Sequence, residues 1–290
     1  MNQIENNRIL QDKYEKLCNT LLSYGKIGVA FSGGVDSTLL LYAAKKTLGD
    51  SVVAFTATGP SFPNWEGSEA KAFCENLGVE QVVIPVDMLS LSQVRENQPD
   101  RCYHCKKHIF EGMLKAAEEK NIEILVEGSN MDDLKDYRPG MVALQELEIK
   151  SPLRQVNLTK EEIRQLSKIL SLPTWEKPSF ACLASRIPYG EKLTDEKLSR
   201  IEQAEQYLAS LGFIGCRVRS HENLARIELV SAQLDEFFGE AGNKKRIDIS
   251  TTLKTMGFDY ITLDLLGYRT GAMNEVLPEE TLQQVAKSLC

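Results

Sequence analysis

Four short stretches hold residues suited to chemistry. In VAFSGGVDST, residues 29–38, an apolar run leads through Ser32, Gly33, Gly34, Val35, Asp36 and Ser37 into a leucine-rich run. A glycine-rich turn from a strand into a helix leaves backbone N–H groups aimed at one point, where the helix dipole adds partial positive charge. That suits a phosphate, and the hydroxyls of Ser32 and Ser37 add donors. The turn lacks the lysine of the G-x-x-x-x-G-K-S/T phosphate loop. Asp36 is better suited to a magnesium ion than to direct contact with phosphate.

The second stretch is RCYHCKK, residues 101–107, with Cys102 and Cys105 one helical turn apart. A helix start and the neighbours Arg101, Lys106 and Lys107 favour thiolates. Two thiolates do not complete a zinc site, which takes four ligands, and no second C-x-x-C occurs. His104 and His108 are the nearest further donors. The third stretch is PSFACLASR, residues 178–186, where Cys182 is a candidate nucleophile beside the cation of Arg186. Cys102, Cys105 and Cys182 together form a three-thiolate set, which on a cubane iron–sulfur cluster leaves one iron for an extra sulfide. The same residues also allow two ordinary thiols and one catalytic cysteine. In EGSNMDDLKDYRPG, residues 127–140, Asp132 and Asp133 are placed to orient magnesium, to position Arg138, or to cap a helix.

These residues need a scaffold. Apolar spacing predicts a helix over 8–24, then strands at 26–32, 51–59, 80–87 and 122–130 alternating with helices at 36–49, 66–78 and 102–121. Such alternation implies right-handed parallel crossovers and a doubly wound parallel α/β sheet. The four strands put both the glycine turn and the 127–140 loop at strand ends, where such sheets bind ligands. Thr159 and Glu162 form a capping-box pattern that opens a helix over 159–172. Residues 173–194, with Pro173, Pro178 and Pro188, lack periodicity and read as a long functional loop. A helix over 195–212 and strands at 213–220, 225–230 and 259–267, interleaved with helix, predict a smaller C-terminal α+β domain. The expected division is a nucleotide domain over 1–155, a connecting helix and catalytic loop over 156–192, and a substrate and oligomerisation domain over 193–290.

The chain has 290 residues, 42% of them hydrophobic, and a net charge of −7. That balance disfavours a protein wrapped in nucleic acid. No apolar run approaches the roughly 18 residues of a membrane span. The opening MNQIENNRIL lacks a signal-peptide layout, so a cytoplasmic protein is expected. Seven cysteines argue against a disulfide framework. Cys18 and Cys74 fall in apolar helical patterns as core residues, while Cys216 and Cys290 carry no assigned role.

SGGVDS is similar to the signature of the PP-loop ATP pyrophosphatases. With RCYHCK, EGSNMDD, SPL and KPSFACLASRIPYG in one order, the chain resembles the LarE-type ATP-dependent sulfur transferases over nearly its whole length. The resemblance implies that Ser32, Gly33, Gly34, Val35, Asp36 and Ser37 cradle pyrophosphate with Mg2+, and that adenine lies near Thr56 to Thr58. It implies that ATP adenylates a carboxylate of pyridinium-3,5-biscarboxylic acid mononucleotide. A sulfur nucleophile then displaces AMP, a step in nickel-pincer nucleotide biosynthesis. Members draw the sulfur either from one sacrificed cysteine or from a 4Fe-4S cluster on three. The three-cysteine set here resembles the cluster-bearing kind. Arg217 and Arg219, at i and i+2 on a strand, match a basic pair thought to meet substrate phosphate, with Arg186 as a further candidate for substrate phosphate or carboxylate. The family implies a trimer or hexamer. A tRNA-thiolating enzyme, an ammonia-using amide-forming synthetase and a nucleotide-sensing binding protein are the alternative readings.

Overall fold

The computed structural model describes residues 8–60, 62, 64–135, 139–178, 182–240, 242–269 and 271–280. Arg138 and Cys290 therefore lie outside the described residues. The N-terminal elements are α1 (Arg8–Tyr24), β1 (Ile27–Ala30), α2 (Val35–Leu48), β2 (Val52–Thr58), α3 (Asn64–Leu77) and β3 (Glu80–Pro85). They continue through α4 (Ser92–Arg95), α5 (Arg101–Glu119), β4 (Ile124–Val126), α6 (Gly140–Glu146), α7 (Pro152–Gln155) and α8 (Lys160–Ile169).

The four strands form one parallel sheet in the order β3-β2-β1-β4. Because a strand's side chains alternate between faces, the sheet feeds two cores. Ile27, Val29, Val52, Ala54 and Val126 pack with α1, α2 and α8. Val53, Phe55 and Leu125 pack with α5 on the other face. The chain winds outward from β1 through β2 to β3, then crosses back to place β4 on the opposite side of β1. That reversal makes β1/β4 the topological switch point, and sheets of this kind bind ligands outside the carboxyl ends of the strands at such a point.

The C-terminal part consists of α9 (Asp195–Ser210), β5 (Arg217–His221), β6 (Leu224–Glu228), α10 (Ser231–Phe238), α11 (Gly242–Thr255) and β7 (Tyr260–Leu263). Its sheet runs β5-β6-β7, antiparallel between β5 and β6 and parallel between β6 and β7. The expected strand at 213–220 starts later, at Arg217, because Phe213 turns into the local core instead. Helix α9 serves both parts of the molecule. Leu198 and Ile201 pack with Leu183, Ala184, Ile187 and Leu193 against the α/β core, while Ala204 and Leu208 join the C-terminal core.

Candidate active site

The glycine turn follows β1 directly. Gly33 takes φ +71°, a left-handed conformation that a side chain disfavours, and Gly34 caps α2 without a side-chain bond. Thr38 N–H makes the first helical bond, to Gly34 O at 2.9 Å. The N–H groups of Val35, Asp36 and Ser37 therefore precede the helical ladder and point out of the helix N-terminus. Ser37 Oγ lies 3.1 Å from Ser32 Oγ, accepts from Ser32 N–H at 3.3 Å and donates to Gly34 O at 3.2 Å. The turn is thus braced from within by the two hydroxyls expected to be phosphate donors. Val35 contributes only backbone to this rim, since its side chain is buried in the core. Thr58 ends β2 half-buried, its carbonyl accepting from Val86 N–H at 2.8 Å.

The loop after β4 presses against this turn. A Cβ on Gly128 would stand 3.1 Å from Ser37 N and 3.2 Å from Asp36 Cβ, so any side chain there would press the loop against the turn. Glu127 is buried and held by Ser129 N–H at 3.0 Å, by Ser129 Oγ at 2.8 Å and by Ser151 Oγ. Asn130 Nδ2 donates to Asp36 Oδ1 at 3.1 Å. Asp133 accepts from Asn130 N–H at 2.9 Å, and Asp132 accepts from Lys160 N–H at 2.8 Å at the start of α8. Both aspartates thereby brace backbone N–H groups, Asp132 at the start of α8.

The lysine missing from the turn arrives from elsewhere. Lys160 Nζ, at the first turn of α8, pairs with Asp36 Oδ2. Lys177 Nζ donates to Gly33 O at 3.0 Å and pairs with Glu69 at 2.8 Å. Arg164 grips the chain around Lys177, donating to Trp175 O at 2.6 Å and Lys177 O at 2.8 Å. Sequence reading missed both lysines because neither neighbours the turn along the chain. The capping box before Lys160 was the available signal, since it fixed where α8 begins.

Cys102 and Cys105 lie on the first turns of α5, and Cys182 precedes a short turn over Leu183–Arg186. The buried guanidinium of Arg101 joins the two segments by donating to Ala184 O at 3.1 Å and to Asn97 Oδ1. Asn97 is itself buried, with φ +54°, and its Nδ2 donates to Ile187 O at 3.2 Å, Pro188 O at 2.7 Å and Glu191 O at 3.0 Å. It is a hub that sequence reading did not find. Burial, then Cys182 and Cys102, push the Cys105 thiol up, against Arg101 and Lys106. Cys182 remains accessible to solvent, yet its desolvation by surrounding protein raises its thiol against the pull of Arg101. The expected stabilisation of thiolates by cations is therefore outweighed at both residues. Among the described residues, no three His, Cys, Asp or Glu side chains converge on a single ion's position. Three thiols, with Arg101 bridging the helix of two of them to the turn after the third, are the kind of donor an iron–sulfur group takes. Cys18 is half-buried, Cys74 is buried, and burial raises Cys216 to about 12.

The three arginines proposed for substrate lie together under this turn, each already engaged. Arg186 donates to Glu205 through Nε at 2.8 Å and Nη2 at 3.0 Å. Arg219 donates to Ser185 O at 2.7 Å and to the fully buried Glu228 at 2.8 Å. Arg217 donates to Cys216 O at 2.8 Å and lies over the Tyr268 ring at 5.0 Å. Arg217 and Arg219 share one face of β5, as their spacing requires, and that face is buried.

A parallel sheet with a lysine-free glycine turn at its switch point defines an α/β protein of the PP-loop type. Residues 18–104 match the asparagine synthase family. The chain is 36% identical over 280 residues to pyridinium-3,5-bisthiocarboxylic acid mononucleotide synthase of Lactiplantibacillus plantarum, covering 96% of this chain and 99% of that protein. It is 39% identical to an uncharacterised protein of Synechocystis sp., over 93% and 99% of the two chains. A chain of the glutamine-hydrolysing GMP synthase of Methanococcus vannielii is 31% identical over 61% of this chain and 60% of its own. The chain belongs to the LarE-type family of PP-loop enzymes.

Proposed function

We infer that the protein is an ATP-dependent sulfur transferase acting on the carboxylates of pyridinium-3,5-biscarboxylic acid mononucleotide, in nickel-pincer nucleotide biosynthesis. One observation carries the reading: Arg101 at the start of α5, donating to Ala184 O at 3.1 Å, holds the helix of Cys102 and Cys105 against the turn after Cys182, while Lys177 donates to Gly33 O of the glycine turn at 3.0 Å.

The N–H groups ahead of the α2 ladder, with Ser32 and Ser37, hold the phosphates of ATP, and magnesium offsets their charge beside Asp36. Asp132 and Asp133 support this site through the Asn130 loop. A carboxylate oxygen of the acceptor attacks the α-phosphorus. The bond from that phosphorus to the bridging oxygen breaks, and pyrophosphate leaves with the electron pair. The acceptor is now an acyl adenylate, whose AMP is a good leaving group where the carboxylate oxygen was not. Addition of sulfur at the carbonyl carbon expels AMP and leaves a thiocarboxylate.

A 4Fe-4S cluster on Cys102, Cys105 and Cys182 would supply transferable sulfide when bound. The protein's own residues set the geometry: Arg101 and Asn97 lock α5 to the turn after Cys182. Arg186, Arg217 and Arg219 lie beneath that turn, with Arg186 held by Glu205 and Arg219 by Glu228, and are assigned to the substrate's phosphate or carboxylate through a rearrangement that frees them from these partners.

A homotrimer or homohexamer is the inferred assembly, supported by the exposed side chains of Tyr260, Leu265, Leu266 and Val276 along β7 and the segments after it. None of the six described cysteines forms a disulfide, in keeping with a reducing cytoplasm. No helix among the described residues is long and apolar enough to cross a membrane. The net charge of −7 weighs against tRNA as the acceptor.

The test is anaerobic purification with iron and sulfide analysis, followed by turnover with ATP and the pyridinium dicarboxylate nucleotide. AMP, pyrophosphate and thiocarboxylate should form only when that nucleotide is present. About four irons per chain and an unchanged protein mass support cluster-borne sulfide. Iron-free turnover that leaves the protein lighter by the mass of hydrogen sulfide would instead assign the sulfur to Cys182.

A further inference from the structure

We propose that the chain after β7 forms a lid: Tyr268 and the short turn Ala272–Val276 close over the cations beside the Cys182 turn and must lift before an anionic substrate reaches them. The proposal rests on the assignment of Arg217 and Arg219 to substrate made above and adds a gate to it.

The contacts run from the C-terminal part back onto the α/β part. Tyr268 N–H donates to Leu229 O at 2.8 Å, and its ring covers the Arg217 guanidinium at 5.0 Å. Gly267 makes the bend into Tyr268 at φ +66°, where a Cβ would stand 2.5 Å from Leu229 O. Farther along, Arg101 Nη2 donates to Met273 Sδ at 4.0 Å, and Tyr189 Oη donates to Asn274 Oδ1 at 3.0 Å. The Tyr189 ring lies 5.6 Å from the Arg101 guanidinium. Cations suited to the substrate's carboxylates and phosphate are thus met by the chain's own side chains.

The closure is light. Ala272 is the one buried residue of the turn, Val276 is 77% exposed, and Gly271 takes φ +80° where the turn begins. Arg269 latches the turn by pairing with Glu275 at 3.2 Å. Few buried contacts and an exposed ion pair mark a segment that opens at small cost.

Alternating charges connect this latch to the site. Arg219 pairs with Glu228 at 2.8 Å, Glu228 with Arg226 at 3.2 Å, Arg226 with Asp264 at 3.6 Å, and Asp264 with Arg269 at 3.2 Å. An anion that draws Arg219 off Glu228 leaves that carboxylate more of Arg226. Asp264 then takes more of Arg269, and Glu275 loses its hold. Apparent affinity scales with the fraction of molecules already open, so weakening the latch should tighten substrate binding.

The test is calorimetric binding of pyridinium-3,5-biscarboxylic acid mononucleotide, without ATP, to the wild type, Glu275→Gln, Tyr189→Phe and the double variant. Each single change removes one exposed pair or one hydrogen bond, so affinity should rise about two- to tenfold, and further in the double variant. Contacts that only support the fold would leave affinity unchanged or lower it. Hydrogen exchange read by mass spectrometry is the second arm. The amides of Ala272, Asn274 and Leu277 donate to Arg269 O, Gly271 O and Asn274 O. They should exchange several times faster in the variants, and in the wild type once the nucleotide binds, with α1 unchanged. Equal or weaker binding by the double variant, or exchange indifferent to the variants or to bound nucleotide, would overturn the proposal. Exchange in the free protein needs no ligand. A nucleotide that binds no form of the protein would therefore sink the functional reading, while these amides still decide the lid.

Discussion

Arg186 and Glu205 meet through two parallel hydrogen bonds, of 2.8 and 3.0 Å, which pin the turn after Cys182 to α9. Arg186 is almost wholly buried. A buried pair of this kind is costly to break from one side, because the survivor stays charged and desolvated. Glu205 Oε1 also accepts from Val218 N–H at 3.0 Å, tying the turn to β5. Glu205→Ala should therefore lose about 3–5 kcal/mol of stability, seen in denaturant unfolding. A loss below about 1 kcal/mol, the range of an exposed pair, would show that the pair does not set the turn.

Lys177 couples the Cys182 segment to the glycine turn, so its removal should act unevenly on the two half-reactions. In Lys177→Met, the yield of thiocarboxylate per pyrophosphate released should fall severalfold, since adenylation proceeds while sulfur delivery loses its alignment. Quantifying both products in one reaction checks this. An unchanged ratio would mean that Lys177 does not link the two sites.

Gly128 leaves room for the turn that a side chain would take. Gly128→Val forces branched carbon against Ser37 N and Asp36 Cβ. Overpacking of this order costs about 1–3 kcal/mol of folding stability, and the displaced turn should bind ATP more weakly. Calorimetric titration with ATP measures it, and Gly128→Ala should fall between the variant and the wild type.

Glu162 closes the capping box at the start of α8 and pairs with Lys13 at 2.7 Å. Burial would raise its carboxyl, but Lys13 and the N–H and hydroxyl of Thr159 prevail and hold it below the usual glutamate value. A depressed folded-state pKa contributes stability that is present above the unfolded-state value and lost as pH falls through the folded one. Wild-type stability should therefore decline on acidification through and below the ordinary glutamate range. Glu162→Gln should be less stable at neutral pH and flatter across that interval. Parallel slopes for the two proteins would refute the assignment.

The local signals in this chain are strong where chemistry and backbone coincide. SGGVDS has to turn, because Gly33 adopts a conformation that disfavours side chains, and apolar strands on either side of each helix compel a parallel sheet. Thr159 and Glu162 marked the start of α8 from their spacing alone. What lies far apart in sequence was not legible in this way. Lys160 is 124 residues from Asp36, and nothing in TKEE or SGGVDS announces the other. The placing of β4 beside β1 decides it, since that crossover carries the Asn130 loop and α8 to the glycine turn together. Asn97 has no signal in the sequence, and Arg101 reads only as a cation beside Cys102, until the turn after Cys182 folds over them and supplies carbonyls to their donors. Arg217 and Arg219 show the opposite case. Strand periodicity put them on one face, but only packing against Leu183–Arg186 determined that this face is interior and that Glu228 holds one of them. Backbone conformation and amphipathic period are properties of short segments, so residue order alone specifies them. Charge pairing and burial depend on distances across the chain, and these exist only once the sheet has closed its order.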